Sequence, residues 1–64
     1  MRININAASV AELSLLPGLG ERLAQRIVDD REARGRFNSV DDLQRVPGMG
    51  TATVERLRPY ADAQ

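Results

Sequence analysis

Two copies of the tetrapeptide Pro-Gly-x-Gly are the segments of this chain best suited to chemistry. They occupy residues 17–20 and 47–50, and each precedes a segment with helical spacing of apolar residues. The first N–H groups of a helix lack partners in that helix and lie at the positive end of its dipole. Glycine, having no side chain, lets an anion approach the backbone closely and also adopts positive φ, and we expect one or the other at a glycine of each turn, the first being favoured. Each turn is therefore a candidate phosphate site built from backbone donors.

The alternative is that Pro-Gly-x-Gly is only a sharp turn between two helices. A single copy would favour that interpretation, whereas two copies at equal spacing favour a function. Two pseudo-symmetric turns would present two anion sites on one face, which suits the two backbones of a duplex. Because phosphate contacts carry no base information, the predicted binding is independent of sequence.

An internal repeat of 30 residues places these turns in equivalent positions. Residues 9–30 align with 39–60, and seven of the 22 positions are identical. Each unit has the pattern helix, tight turn, helix, and neither could bury its apolar stripe alone. We predict an all-α fold of four short helices in two pseudo-symmetric units, about 9–34 and about 39–61, within one domain spanning 1–64.

Local signals set the expected boundaries of these helices. Ser9 with Glu12 predicts a capping box, and Ser39 with Asp42 predicts a weaker one. Gly35 is suited to end the second helix. The prolines Pro17 and Pro47 should end the first helix of each unit.

The apolar residues predict one shared core. Phe37 is expected between the units, and Ile3 and Ile5 suggest a short extended N-terminal arm that covers the core. The helical stripes comprise Val10, Leu13 and Leu16; Leu23, Ala24, Ile27 and Val28; Val40, Leu43 and Val46; and Val54 and Leu57, with Tyr60 as a further candidate.

Composition excludes several classes of function. The 64 residues contain no Cys, no His, one Phe and one Tyr, with nine Arg balancing nine acidic side chains. Without His, the serines have no general base, so we expect no catalysis, no metal and no cofactor. Asp29-Asp30 and Asp41-Asp42 are adjacent pairs. On a helix the two side chains of each pair point about 100° apart, which does not suit a metal site. No segment is apolar enough to predict membrane contact.

The segments Leu16–Ile27 and Val46–Leu57 resemble the helix-hairpin-helix motif. Together with the opening Ile3–Ala8 and the joint Arg31–Phe37, they are similar to the C-terminal domain of ComEA-type competence proteins of bacteria. The resemblance implies a tandem helix-hairpin-helix domain that binds double-stranded DNA without sequence preference. It also implies a membrane-anchored parent protein and an extracytoplasmic location during DNA uptake; the sequence itself leaves the compartment unknown.

The predicted phosphate-binding residues belong to the two hairpins. They are Gly18, Leu19, Gly20 and Arg22 in the first, and Gly48, Met49, Gly50, Thr51 and Thr53 in the second. The side chains of Leu19 and Met49 are expected to pack rather than to contact the ligand. Glu21 departs from the family pattern and opposes phosphate at the first hairpin.

Other arginines have two interpretations each. Arg26 could clamp phosphate beside the first hairpin or pair with Asp29 or Asp30. Arg45 and the repeat-equivalent Arg56 are further candidates for DNA contact. Arg31, Arg34 and Arg36 are expected near the joint, away from the hairpins.

Two hypotheses for the function remain open. The first is non-specific binding of duplex DNA, which requires Arg22, Arg45 and the two threonines to cluster around the hairpins. The second is a protein-contact or scaffold module without DNA affinity, with other proteins of a DNA-uptake or secretion assembly as partners. A monovalent cation held by hairpin carbonyls is implied by the family alone and is left open.

Overall fold

The computed structural model describes residues 2–64. The mainly helical fold with an extended N-terminal arm is confirmed. In chain order the elements are β1 (Ile3–Asn4), α1 (Val10–Leu13), α2 (Gly20–Arg34), a first 3-10 helix (Val40–Arg45), α3 (Thr51–Leu57), a second 3-10 helix (Arg58–Tyr60) and β2 (Ala61–Asp62).

The capping box predicted for α1 is confirmed, and the second one is wrong. The hydroxyl of Ser9 accepts the N–H of Glu12 at 3.1 Å, while the Glu12 carboxylate accepts the N–H of Ser9 at 2.8 Å. Ser39 makes no such side-chain bond. The N–H of Asp42 already donates to the Ser39 carbonyl, and the Asp42 carboxylate accepts the N–H of Asn38 instead.

The third helical segment is a 3-10 helix, and the missing side-chain cap at Ser39 distinguishes it from the capped helix α1 at the equivalent position of the repeat. Val40, Leu43 and Val46 recur every third residue, which places them in one row when a helix has about three residues per turn. Leu43 and Val46 are buried, and the N–H of Val46 donates to the carbonyl of Leu43. The spacing alone does not select the tighter helix, because Val10, Leu13 and Leu16 share it. The difference lies in the first hydrogen bond: the N–H of Leu13 bonds the carbonyl four residues back, whereas that of Asp42 bonds the carbonyl three residues back.

α2 is the longest element and ends where the sequence predicts. Gly35 follows it with φ +90°, and its N–H donates to the carbonyl of Arg31.

Phe37 is completely buried between the units, as expected. Tyr60 is 50% exposed, so its candidate place in the core is wrong. α3 ends at Leu57, and Tyr60 therefore no longer follows the buried face of that helix.

The N-terminal arm reaches the far end of the chain. β1 pairs in parallel with β2, with Ile3 opposite Ala61. The side chain of Asn6 bonds both backbone groups of Phe37, donating to the carbonyl at 2.9 Å and accepting the N–H at 2.7 Å. Ile5, which lies between β1 and Asn6 in the arm, is fully buried. The arm thus closes the core over the joint, as the sequence predicts, while its pairing with β2 was not predicted.

Arg45 is engaged in the joint, and its contacts there do not support its predicted role in DNA contact. Its Nε donates to the carboxylate of Asp30 at 2.6 Å, and Nη2 donates to the carbonyl of Gly35. The guanidinium also lies 4.3 Å from the centroid of the Phe37 ring. Asp30 is the buried charged residue of the described chain, at 8% exposure. Pairing with Asp30 and stacking on Phe37 hold this arginine in the core of the joint.

Candidate functional site

The two hairpins present glycines with a backbone conformation that other residues rarely adopt. Gly18 has φ +75° and Gly48 has φ +93°. The prediction that the first glycine of each Pro-Gly-x-Gly needs positive φ is therefore confirmed. The second glycines differ, because Gly20 has φ +71° whereas Gly50 is extended at φ −95°. All four are exposed at the surface.

The middle residue of each hairpin is committed to the protein interior. Leu19 is 4% exposed and Met49 is 5% exposed, so both side chains pack in the core. Their N–H groups donate to the carbonyls of Leu16 and Val46, at 3.2 and 3.0 Å. Within residues 2–64, no protein acceptor bonds the N–H groups of the four hairpin glycines. The glycine N–H groups therefore add to the unpaired N–H groups of the first helical turn as backbone donors open to a ligand.

Each hairpin is contacted by an arginine from the opposite unit. Nη1 of Arg56 lies 2.9 Å from the position that a Cβ would take on Gly18. Nη1 of Arg26 lies 2.8 Å from the equivalent point on Gly48 and donates to the carbonyl of Pro47 at 3.2 Å. These two arginines occupy equivalent positions of the repeat. Both were predicted as candidates for phosphate contact, with Arg26 beside the hairpin of its own unit.

The reciprocal contacts place the two hairpins beside each other. Cδ2 of Leu23 lies 3.0 Å from the Cβ position of Gly48. Leu23 follows Gly20 by three residues, which is a rise of about 4.5 Å along α2. The second hairpin therefore packs against the first two turns of α2, the helix that the first hairpin opens.

The polar residues around the hairpins divide by position. Arg22 is exposed in the first turn of α2 and lines an open groove with Arg26, as their spacing of four residues predicts. Glu21 borders the same groove. Thr51 is exposed and its hydroxyl lies 3.4 Å from the side-chain oxygen of Gln44. Thr53 is half-buried. Of the residues in the predicted cluster, the structure brings Arg22 together with Arg26 at the first hairpin, and the cluster as a whole stays a prediction.

Ion pairing separates the arginines into two groups. Within residues 2–64, ion pairs with carboxylates engage Arg2, Arg34, Arg45 and Arg58. In the same part of the chain, Arg22, Arg26 and Arg56 have no carboxylate within 4.0 Å. Arg26 bonds the second hairpin and not Asp29 or Asp30. Although the chain has a net charge of zero, these three arginines near the hairpins have no ion pair within residues 2–64, and Glu21 is the acidic residue that borders the groove of Arg22 and Arg26.

Acidic residues of the described chain do not gather into a metal site. No group of three carboxylates within residues 2–64 could hold an ion. None of the helices in that range has the length and apolar character needed to cross a membrane.

Comparison with known proteins connects this geometry to a family. A family model described as the helix-hairpin-helix motif matches residues 1–62. A mouse protein named endonuclease/exonuclease/phosphatase family domain-containing protein 1 is 46% identical over 63 residues, which is 98% of this chain and 11% of that protein. ComE operon protein 1 of Bacillus subtilis (strain 168) is 36% identical over 56 residues, which is 88% of this chain and 27% of that protein.

A third relative is an uncharacterized protein of Haemophilus influenzae, 40% identical over 58 residues and matched over 52% of its length. The chain spans about a tenth of the length of the first mammalian relatives it matches. The resemblance to the competence-protein domain is confirmed by the match to ComE operon protein 1. The family model covers nearly the whole chain, including both hairpins. The chain therefore belongs to the helix-hairpin-helix family.

Proposed function

We propose that this domain binds double-stranded DNA without sequence preference by holding backbone phosphates on its two hairpins. The observation that carries the proposal is the repeated pairing of an exposed, positive-φ glycine with an arginine that has no carboxylate partner in the described chain. Glycine N–H groups and a guanidinium together supply the donors that bind phosphate. Because the hairpins are adjacent, one duplex can contact both.

The same features support binding that ignores base sequence. Phosphate contacts position a protein on DNA without reading bases. The longest helix, α2, buries Ala24 and Ile27 on one face and carries Glu21, Asp29 and Glu32 among its exposed residues. That mixture of charges does not suit insertion into a groove as a base-reading helix.

DNA uptake is the process we propose for the domain, supported by its likeness to ComE operon protein 1. We further propose that the domain itself is not catalytic. The mouse relative's name refers to an endonuclease/exonuclease/phosphatase family domain, and the match covers 11% of that protein. Any such chemistry is accordingly assigned to a different part of that relative.

A protein-contact module is the second candidate function. Leu15 precedes the first hairpin and is 79% exposed, although its repeat-equivalent Arg45 is packed in the joint. An exposed leucine beside the hairpins would suit a protein partner. A single exposed apolar residue is common on soluble domains, so this observation is weaker than the paired hairpins.

A titration of labelled random-sequence duplex, followed by fluorescence anisotropy at low salt, tests the proposal. We expect a dissociation constant near micromolar or weaker at physiological salt, as is typical of non-specific binding at about 10⁻⁴–10⁻⁶ M. Complete absence of binding at low salt would contradict it and favour the protein-contact module.

Charge changes at the hairpins sharpen this test. Glu21→Lys should tighten binding, since Glu21 borders the first hairpin. Glu32→Lys is the matched control, because Glu32 is exposed on the same helix about 16 Å further along. That distance exceeds the Debye length of about 10 Å at 0.1 M salt, so its effect should be smaller.

The second hairpin has its own pair of variants. Thr51→Glu should weaken binding more than any substitution of Arg31 or Arg34, since it adds a negative charge where phosphate is expected. Thr51→Gln has nearly the same shape without the charge, and it should weaken binding less. Equal effects of these two variants would show that charge at Thr51 is not felt by the DNA.

A further inference from the structure

We infer that the two phosphate sites are composite across the units, with Arg56 completing the site of the first hairpin and Arg26 completing that of the second. The inference rests on the proposed function and adds which side chain serves which hairpin. It follows from the reciprocal distances of 2.9 Å between Arg56 and Gly18 and 2.8 Å between Arg26 and Gly48, measured to the Cβ position of each glycine.

Both guanidinium groups keep donors available for a ligand. A guanidinium carries five N–H donors, and Arg26 uses one of them on the Pro47 carbonyl. Within residues 2–64, the side chain of Arg56 forms no hydrogen bond or ion pair with the protein. Both residues are exposed. A phosphate that accepts hydrogen bonds from the hairpin glycines would therefore lie within reach of donors that nothing else occupies.

The packing also fixes where the Arg26 guanidinium lies. Gly48 has no Cβ, and the space a Cβ would fill is taken by Arg26 together with Leu23. The bond to the Pro47 carbonyl holds the Arg26 guanidinium beside the turn before any ligand arrives. Holding a donor in place before binding reduces the entropy that binding costs. Glycine is thus required at these positions for two reasons: it adopts positive φ, and its missing side chain leaves space for the arginine of the other unit.

Amide NMR spectra with and without a short random-sequence duplex test the assignment residue by residue. In Arg56→Gln, the shifts that DNA induces at the Gly18 and Gly20 amides should be lost while those at Gly48 and Gly50 persist. Arg26→Gln should show the opposite pattern. Each variant should lose affinity about eightfold at 0.1 M salt. One phosphate contact contributes about 0.9 to the slope of log affinity against log salt, and 0.9 log units is a factor of about eight.

Arg36→Gln is the control for net charge, since Arg36 is exposed in the joint and its side chain forms no ion pair within residues 2–64. We expect less than a twofold loss of affinity and no selective loss of shifts. Arg26→Lys should keep the salt slope, because it preserves the charge beside Gly48.

The outcomes separate this inference from the proposed function. If wild-type protein shows no DNA-induced shift at either hairpin, the proposed function fails. If wild type binds but each variant loses the shifts of its own unit's hairpin, or loses both equally, the cross-unit assignment is overturned. The Arg56 variant decides the matter even if Arg26→Gln folds poorly, because Arg56 forms no protein hydrogen bond within the described residues.

Discussion

Replacing Gly48 by alanine should destabilise the domain far more than replacing Gly50, although both belong to the same hairpin. Gly48 has φ +93°, and an added Cβ would lie 2.8 Å from Nη1 of Arg26 and 3.0 Å from Cδ2 of Leu23. Gly50 has φ −95°, and an added Cβ there would meet nothing within 4 Å. The pair therefore separates backbone strain and crowding from the mere loss of a glycine.

The magnitude for Gly48→Ala follows from two costs. A left-handed conformation costs a residue with a side chain about 1–2 kcal/mol. The new methyl would also displace Arg26 and its bond to the Pro47 carbonyl, which contributes about 0.5–1.5 kcal/mol. We expect a loss of about 2–3 kcal/mol, and about 4–8 °C of melting temperature per kcal/mol in a domain of this size. Gly50→Ala should change the stability by less than about 0.5 kcal/mol, as surface substitutions usually do.

Thermal and urea unfolding followed by circular dichroism would measure both variants. Equal stability of Gly48→Ala and Gly50→Ala would refute this reasoning, because it would mean that the conformation of Gly48 is not required. The same proteins also report on DNA. Gly50→Ala should fold normally and still weaken duplex binding if phosphate approaches the Gly50 backbone closely.

Further stability predictions concern the core and the first cap. Phe37→Ala should cost about 3–5 kcal/mol and leave much of the protein unfolded, as urea titration would show. Asp30→Asn should cost about 1.5–3 kcal/mol in the same assay, because it removes the charged partner of Arg45. Hydrogen bonds from the backbone and hydroxyl of Ser9 lower the pKa of Glu12 from 4.5. Its charged form therefore stabilises the fold above that pH, so the melting difference between wild type and Glu12→Gln should vanish as pH falls through the lowered value.

The sequence predicts those parts of the fold that depend on local chemistry. Positive φ at Gly18 and Gly48, the end of α2 at Gly35 and the burial of Phe37 all follow from residue type and spacing. The 3-10 geometry of Val40–Arg45 had no such signal, because the equivalent residues of α1 have the same spacing. An α-helix was expected since that spacing is compatible with both kinds of helix.

Contacts between distant segments could not be predicted in the same way. The face of Arg26 on its helix is readable from the sequence, but which hairpin it meets depends on how the two units pack. Arg45 precedes the second hairpin closely in the sequence, yet in the structure it pairs with Asp30 and stacks on the Phe37 ring in the joint. The pairing of β1 with β2 involves two residues on each strand, too few for an alternating pattern.

The dependence of duplex affinity on salt tests the central claim, that two hairpins hold DNA by its phosphates, most directly. Two duplexes of unrelated sequence should bind with the same affinity, and log affinity should fall against log salt with a slope of about −2 to −4, corresponding to a few phosphates in total. A slope near zero, or strong preference for one of the two sequences, would contradict the claim.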